Sequence, residues 1–306
     1  MSARVRHRRT AGTCSNIRQS FANHNTTYLP PITLLLLTIT LAAGATAGTL
    51  GAMLGIGGGV FLIPLLNVGL GLPLKAASGI SLMTVIATSN AVAANPASRK
   101  LLNLRLGMLL QIPAVAGGII GALLVRNLPV HTLYIVFAIV TAVIAVVMLT
   151  RLDRRNVILD TSIDPGALGG RFFEAETGRE VVYRMRRLGA GLGVSLAGGL
   201  VSGLLGIGGG ILQVPALNAW CGIPMRAAAA TTAAMIGITA LGSAPIYFMR
   251  GHVAAPLAAA AVIGVLAGSR LGLWLSGRTD AKGLKMLMAA VLAAVSLIYF
   301  YRSVTT

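Results

Sequence analysis

The chain has 306 residues, of which 56% are hydrophobic and only 10% charged, with a formal net charge of +18. A water-soluble globular domain carries about a quarter charged residues, so this chain cannot clothe a soluble surface and reads as an integral membrane protein. The basic excess does not indicate a nucleic-acid partner, because Lys and Arg flank apolar runs as membrane topology requires.

Residues 1–31 are polar, carry Arg4, Arg6, Arg8, Arg9 and Arg18, and contain no acidic residue. They read as a disordered basic cytoplasmic tail. The first apolar run, Ile32–Ala43, is followed by small residues and imitates a cleaved signal peptide. Seven more runs follow: Ile80–Ala94, Met108–Val125, Leu133–Leu149, Leu188–Leu205, Ala227–Tyr247, Ala254–Leu275 and Leu284–Tyr301. Most approach the ~20 residues that span a bilayer as a helix, and only helices or closed barrels satisfy their backbone in lipid. The expected fold is all-α and polytopic, with about eight transmembrane helices.

Two segments carry one signature. Leu54-Gly55-Ile56-Gly57-Gly58-Gly59 recurs as Leu205-Gly206-Ile207-Gly208-Gly209-Gly210, an offset of 208 − 57 = 151. The same register maps Pro64 to Pro215, Asn67 to Asn218, Pro73 to Pro224, Lys75 to Arg226 and Ser81 to Thr232. The chain is therefore two homologous halves, 32–150 and 188–302, and the register makes the first apolar run a retained helix. Between them, residues 151–187 hold six of the seven acidic residues and read as a soluble polar linker, too poor in apolar residues for a core of its own.

With the tail inside and four spans per half, Arg99, Lys100, Arg105, the linker, Arg250 and Arg302 also fall inside. Lys75, Arg126, Arg226, Arg278, Lys282 and Lys285 fall outside. Four spans per half make the repeats parallel; a Gly-rich segment that crossed would make five, and inverted repeats. The reading favours four, with both termini cytoplasmic and the chain in the cell inner membrane.

Three consecutive glycines followed by proline break or re-enter a helix. Non-helical backbone at membrane depth persists only when buried in protein or facing water, and interrupted segments at matching positions in two halves point to a transporter's binding site. Freed N–H groups there attract anions. Every acidic residue except Asp280 lies in the linker, whereas cation carriers place carboxylates in the membrane. The candidate substrate-binding residues are Gly57, Gly58, Gly59, Pro64, Asn67, Ser81, Gly208, Gly209, Gly210, Pro215, Asn218 and Thr232. Lys75 and Arg226 are candidates for anion attraction. Scattered pairs such as Gly117/Gly121 and Gly268/Gly272 read as helix-packing positions. His7, His24, His131, His252, Cys14 and Cys221 have no ligand spacing, so neither a metal nor a cofactor is expected. Gly193–Ala197 misses the nucleophile-elbow pattern, and nothing else suggests an enzyme.

The doubled motif Leu54–Pro64 and Leu205–Pro215 resembles the signature of the TauE/SafE sulfite exporter family, also described as toluene sulfonate uptake permeases, and the likeness runs from about Ile32 to Tyr301. It implies a secondary transporter of sulfite, an organosulfonate or a related sulfur-containing or carboxylate anion. The partners implied are the lipid bilayer and a small anionic solute, with a second copy of the chain as a further candidate and no nucleic acid. The alternatives are a permease for another solute class and a non-transporting membrane protein that acts through its linker.

Overall fold

The computed structural model describes residues 33–54, 57–150, 164, 166–174, 179–276 and 281–305. The basic tail, Cys14 and the Gly55-Ile56 pair lie outside the described residues. The first half contains α1 (Leu34–Leu54), the short α2 (Gly59–Pro64) prolonged by one π-helical turn to Gly69, α3 (Leu74–Ala94), α4 (Pro96–Leu101), α5 (Leu104–Leu124) and α6 (Val130–Thr150). The second contains α7 (Leu188–Leu205), α8 (Gly210–Cys221), α9 (Met225–Met249), α10 (Ala255–Ser276) and α11 (Ala281–Thr305). Eight of these helices have 18 to 25 residues, the length that crosses a bilayer. The duplication is exact in its helix starts: α2, α3, α5 and α6 begin at 59, 74, 104 and 130, and α8, α9, α10 and α11 begin 151 residues later, at 210, 225, 255 and 281.

Local chemistry sets these boundaries. Pro73 and Pro224 precede α3 and α9 with φ −54° and −55°, an angle the ring imposes and which suits a helix entrance. Asn103 caps α5, its Oδ1 accepting from the Leu106 amide at 3.1 Å. Gly206 ends α7 with φ +75°, a conformation glycine adopts without a Cβ penalty.

Cross-half pairs fix the relative direction of the repeats. Near the end of α3, Ser89 Oγ donates to Ala233 O at 2.6 Å, close to the start of α9. At the start of α3, Gly79 lies instead against His252 O, just beyond the end of α9. These two repeat mates therefore run antiparallel. So do α6 and α11, where Ser296 Oγ donates to Ala138 O at 2.9 Å and the Tyr299 ring packs on Phe137 and Tyr134, at 4.3 and 5.6 Å between centroids. Equivalent helices running in opposite directions make the repeats inverted, which corrects the parallel arrangement expected above.

The reason is the short helix. The amide of Arg186, just before α7, donates to Cys221 O at the end of α8 at 2.9 Å. Thus α7 enters the membrane and α8 returns to the same face, and α1 and α2 repeat this re-entrant hairpin from the other face. Each half has four long helices, yet the first two run the same way. Consequently the start of α1 and the end of α11 share one face and the described residues 166–174 and 179–187 lie on the other, which overturns their expected placement together.

Glycine stripes join the helices. On α1, Gly44 and Gly48 meet the backbone of Ala261 and Val265 on α10, whose Gly264, Gly268 and Gly272 meet Leu41, Ala45 and Thr49. The mates repeat this: Gly117 and Gly121 of α5 meet Leu196 and Leu200 of α7, and Gly199 and Gly203 meet Ala114 and Gly118. With lipid on all sides, such close backbone approach replaces hydrophobic driving force between helices.

The segment between the halves contains an element that its composition hides. Strands β1 (Gly170–Glu174) and β2 (Arg179–Tyr183) form an antiparallel hairpin with Phe172 opposite Val181. Phe172, Val181 and Tyr183 are buried against Leu106, Leu110, Leu217, Cys221 and Ile223. Asn103 Nδ2 donates to Leu168 O and Gly169 O at 3.0 and 3.1 Å. This hairpin covers the base of α7 and α8, outside an otherwise helical fold.

Candidate functional site

The tips of the two re-entrant hairpins meet between α3 and α9. Gly57 and Gly208 have φ of +78° and +92°. A Cβ on Gly57 would come 2.8 Å from Ile236 Cδ1, and one on Gly208 2.8 Å from Val85 Cγ1. Val85 and Ile236 are themselves separated by 151 residues, so each tip rests on the same position of the opposite central helix. A Cβ on Gly59 would lie 2.5 Å from Ser81 Oγ and 3.0 Å from Ile207 O of the other tip. Ser81 Oγ donates to Gly206 O at 2.7 Å, joining the halves. Gly58 and Gly209 pack each tip onto its own long helix, against Ala47 O and Gly198 O.

Among the sequence candidates, Gly57, Gly59, Ser81 and Gly208 are therefore brought together, with Gly58 and Gly209 directly behind them. Gly210 opens α8, and Thr232 is fully buried on α9 with no hydrogen-bond partner. Pro64 and Pro215 are buried inside the short helices. Asn67 and Asn218 lie at the far ends of those helices, on opposite faces. Their Nδ2 groups donate to Leu72 O and Ile223 O at 2.7 and 2.8 Å, closing the loops before Pro73 and Pro224. Arg302 Nη1 also donates to Asn67 Oδ1 at 3.2 Å. Lys75 and Arg226, expected on one side, stand at opposite faces because the repeats are inverted.

Several hydroxyls of the central pair are satisfied within their own helices. Thr84 donates to Ser81 O at 2.8 Å, Thr88 to Thr84 O at 2.7 Å, and Ser243 to Thr239 O at 3.4 Å. Polar groups outside the candidate substrate-binding residues are Ser195, Ser202 and Gln213, buried with side-chain atoms lacking partners. The signal was a break in the repeat: their mates are Gly44, Gly51 and Leu62. Among the described residues no helix carries Asp or Glu, and no cluster of His, Cys, Asp and Glu could hold a metal. The meeting point thus brings together the glycine backbone of both tips and the Ser81 hydroxyl, with no carboxylate among them.

On the terminal face, the loop after α9 places His252 near Lys75 and Arg250. Burial first, and then the charges of Lys75 and Arg250, push the His252 pKa below its ordinary value. The folded pKa is thus lower than the unfolded one, about 6.5, so the unfolded chain binds more protons between the two. Stability is expected to fall as pH drops below about 6.5 and to level off below the folded pKa. A His252→Gln variant should flatten that stretch of the melting-temperature profile in detergent; an unchanged profile contradicts the assignment.

The family profile described as "Sulfite exporter TauE/SafE" matches residues 40–299. A "Probable membrane transporter protein YunE" of Bacillus subtilis (strain 168) is 25% identical over 273 residues, covering 87% of this chain and 98% of that protein. A "Probable membrane transporter protein MJ0441" of Methanocaldococcus jannaschii is 25% identical over 284 residues, covering 86% and 95%. No solved structure matches the chain.

Proposed function

This chain belongs to the sulfite exporter TauE/SafE family of membrane transporters, and from that membership we propose that it is a secondary carrier of a small anion. The substrate class is sulfite, an organosulfonate or a related sulfur-containing or carboxylate anion. The single observation that carries this reading is the meeting of two inverted re-entrant tips between α3 and α9, built from glycine backbone and the Ser81 hydroxyl and free of carboxylates. Glycine at Gly57–Gly59 and Gly208–Gly210 lets backbone donors approach a solute, and donors in a water-poor setting hold an oxyanion by hydrogen bonds. Inverted repeats give alternating access its symmetry: each hairpin faces a different side, and rocking of one half against the other exposes the meeting point to each face in turn. Lys75 and Arg226 would then attract anions at one mouth each.

The proposed location is the inner membrane, with the face that carries residues 166–174 and 179–187 toward the cytoplasm. The described helix ends on that face carry Arg99, Lys100, Arg105, Arg184, Arg186, Arg187 and Arg226, against Lys75, Arg126, Arg250 and Arg302 on the terminal face. The positive-inside bias favours the richer face as cytoplasmic, which turns the expected placement of the termini around. Proteoliposomes with purified protein should carry labelled sulfite or an alkanesulfonate down its gradient, above protein-free vesicles. Absence of flux for every anion of a panel, with flux of a neutral solute, would refute the reading.

A further inference from the structure

We propose that the second half holds an asymmetric oxyanion site between α7 and α8, formed by Gln213, Ser202 and Ser195, and that it selects singly charged oxyanions over dianions. The proposal rests on the reading of the protein as an anion carrier and deepens it.

Gln213 is 1% exposed, and neither its Nε2 nor its Oε1 has a hydrogen-bond partner. Ser195 and Ser202 are fully buried, and both hydroxyls are likewise unpartnered. A buried carboxamide and two buried hydroxyls left unmatched in one place are costly to a fold, and a bound solute would recover that cost. Their placement is coherent. Ser195, Gly198 and Ser202 recur along α7, and Gln213 packs across from Gly198, whose Cβ would lie 3.2 Å from Gln213 Cγ and 3.6 Å from its Nε2. Ser202 Cβ is 3.5 Å from the position of a Cβ on Gly209. Gly209 is the N-cap of the 12-residue α8 and supplies no side-chain cap. The partial positive end of that helix therefore lies beside Ser202 and the contact of Gln213 with Gly198.

The first half has no such site. Its mates Gly44, Gly51 and Leu62 offer no side-chain donor or acceptor, and its α2 is only 6 residues long before the π turn. The two tips are equivalent in fold and unequal in chemistry.

The donor set also limits the charge of the ligand. Among the described residues, Lys and Arg stand at helix ends or face outward, and none is buried. Neutral donors and one helix terminus can hold a single negative charge, whereas a second adds a desolvation cost that no cation here offsets. Gln213 Oε1, an acceptor, further favours a ligand that brings a proton, such as hydrogen sulfite.

The test is calorimetric titration of the full-length protein in lipid nanodiscs with methanesulfonate, sulfate, and sulfite in acidic and alkaline buffer. Methanesulfonate remains a monoanion, sulfate remains a dianion, and sulfite changes between the two. Wild type is expected to bind methanesulfonate and to bind sulfite more tightly in acid, with sulfate at least about tenfold weaker. Gln213→Leu and Ser202→Gly copy the first half's residues and should each weaken methanesulfonate by about tenfold. Their melting temperatures should hold or rise, since an unmatched polar group has been removed; a purely structural role for Gln213 would lower them. Methanesulfonate affinity retained within about twofold in Gln213→Leu, or sulfate bound as tightly as methanesulfonate, overturns the site while leaving the carrier reading intact. Wild-type protein that binds none of the three overturns both.

Discussion

Replacing Gly208 by valine is expected to abolish anion flux and to destabilise the fold by several kcal/mol. Two independent costs meet there. Gly208 has φ +92°, where a β-branched residue is an outlier costing about 1–3 kcal/mol. Its Cβ would also lie 2.8 Å from Val85 Cγ1 and 3.1 Å from Cγ2, and Val85 sits on the central helix that both tips use. Overpacking of a filled core adds about 1–3 kcal/mol, and the tip must move away from its partner. Gly71→Ala is the matched control. It has φ +67°, but nothing lies within 4 Å of its Cβ, so it should cost about 1 kcal/mol of strain and keep most of the flux. The measurement pairs sulfite flux in proteoliposomes with the melting temperature of each variant. Normal flux through Gly208→Val would remove the meeting tips from the mechanism.

Val181→Asp is expected to detach the β-hairpin from the helices. Val181 is fully buried beside Leu106, Leu110, Leu217 and Cys221, and burying an unpaired carboxylate costs far more than releasing a two-stranded ribbon. Two strands alone are marginal in water, so the freed segment loses its pairing as well. Cys221, 1% exposed beneath it, should then react with a water-soluble maleimide that leaves the wild type unlabelled. An equally protected Cys221 in the variant would show that the hairpin does not shield this end of the molecule.

The helices and the duplication were legible because both are written in local terms. Apolar runs of bilayer length, the Pro73 and Pro224 entrances and a gap-free offset of 151 need no tertiary information. Direction was not legible, since residue-by-residue similarity between halves is the same whether the second half is parallel or inverted. It turned on whether about eleven residues from Gly59 cross or return, and that depends on Gly58 packing on Ala47 and Arg186 bonding Cys221. The linker hairpin was hidden because the strand-like Phe172-Phe173 and Val181-Val182-Tyr183 are embedded in an acidic, arginine-rich segment and bury only against helices remote in sequence. For the site, glycine identity marked the meeting point, whereas Asn67 and Asn218 matched in register for a different reason: each closes a loop. The unmatched side chains were visible only as departures from the repeat, and burial gives Gln213 in place of Leu62 its meaning.

Two inverted re-entrant hairpins build the site, and sided labelling of Lys75→Cys and Arg226→Cys in a background without Cys14 and Cys221 tests this arrangement most directly. A membrane-impermeant maleimide applied to intact cells, and then to inverted vesicles, should label Lys75→Cys from outside only and Arg226→Cys from inside only. Labelling of both positions from the same side would mean parallel repeats and would contradict the site described above.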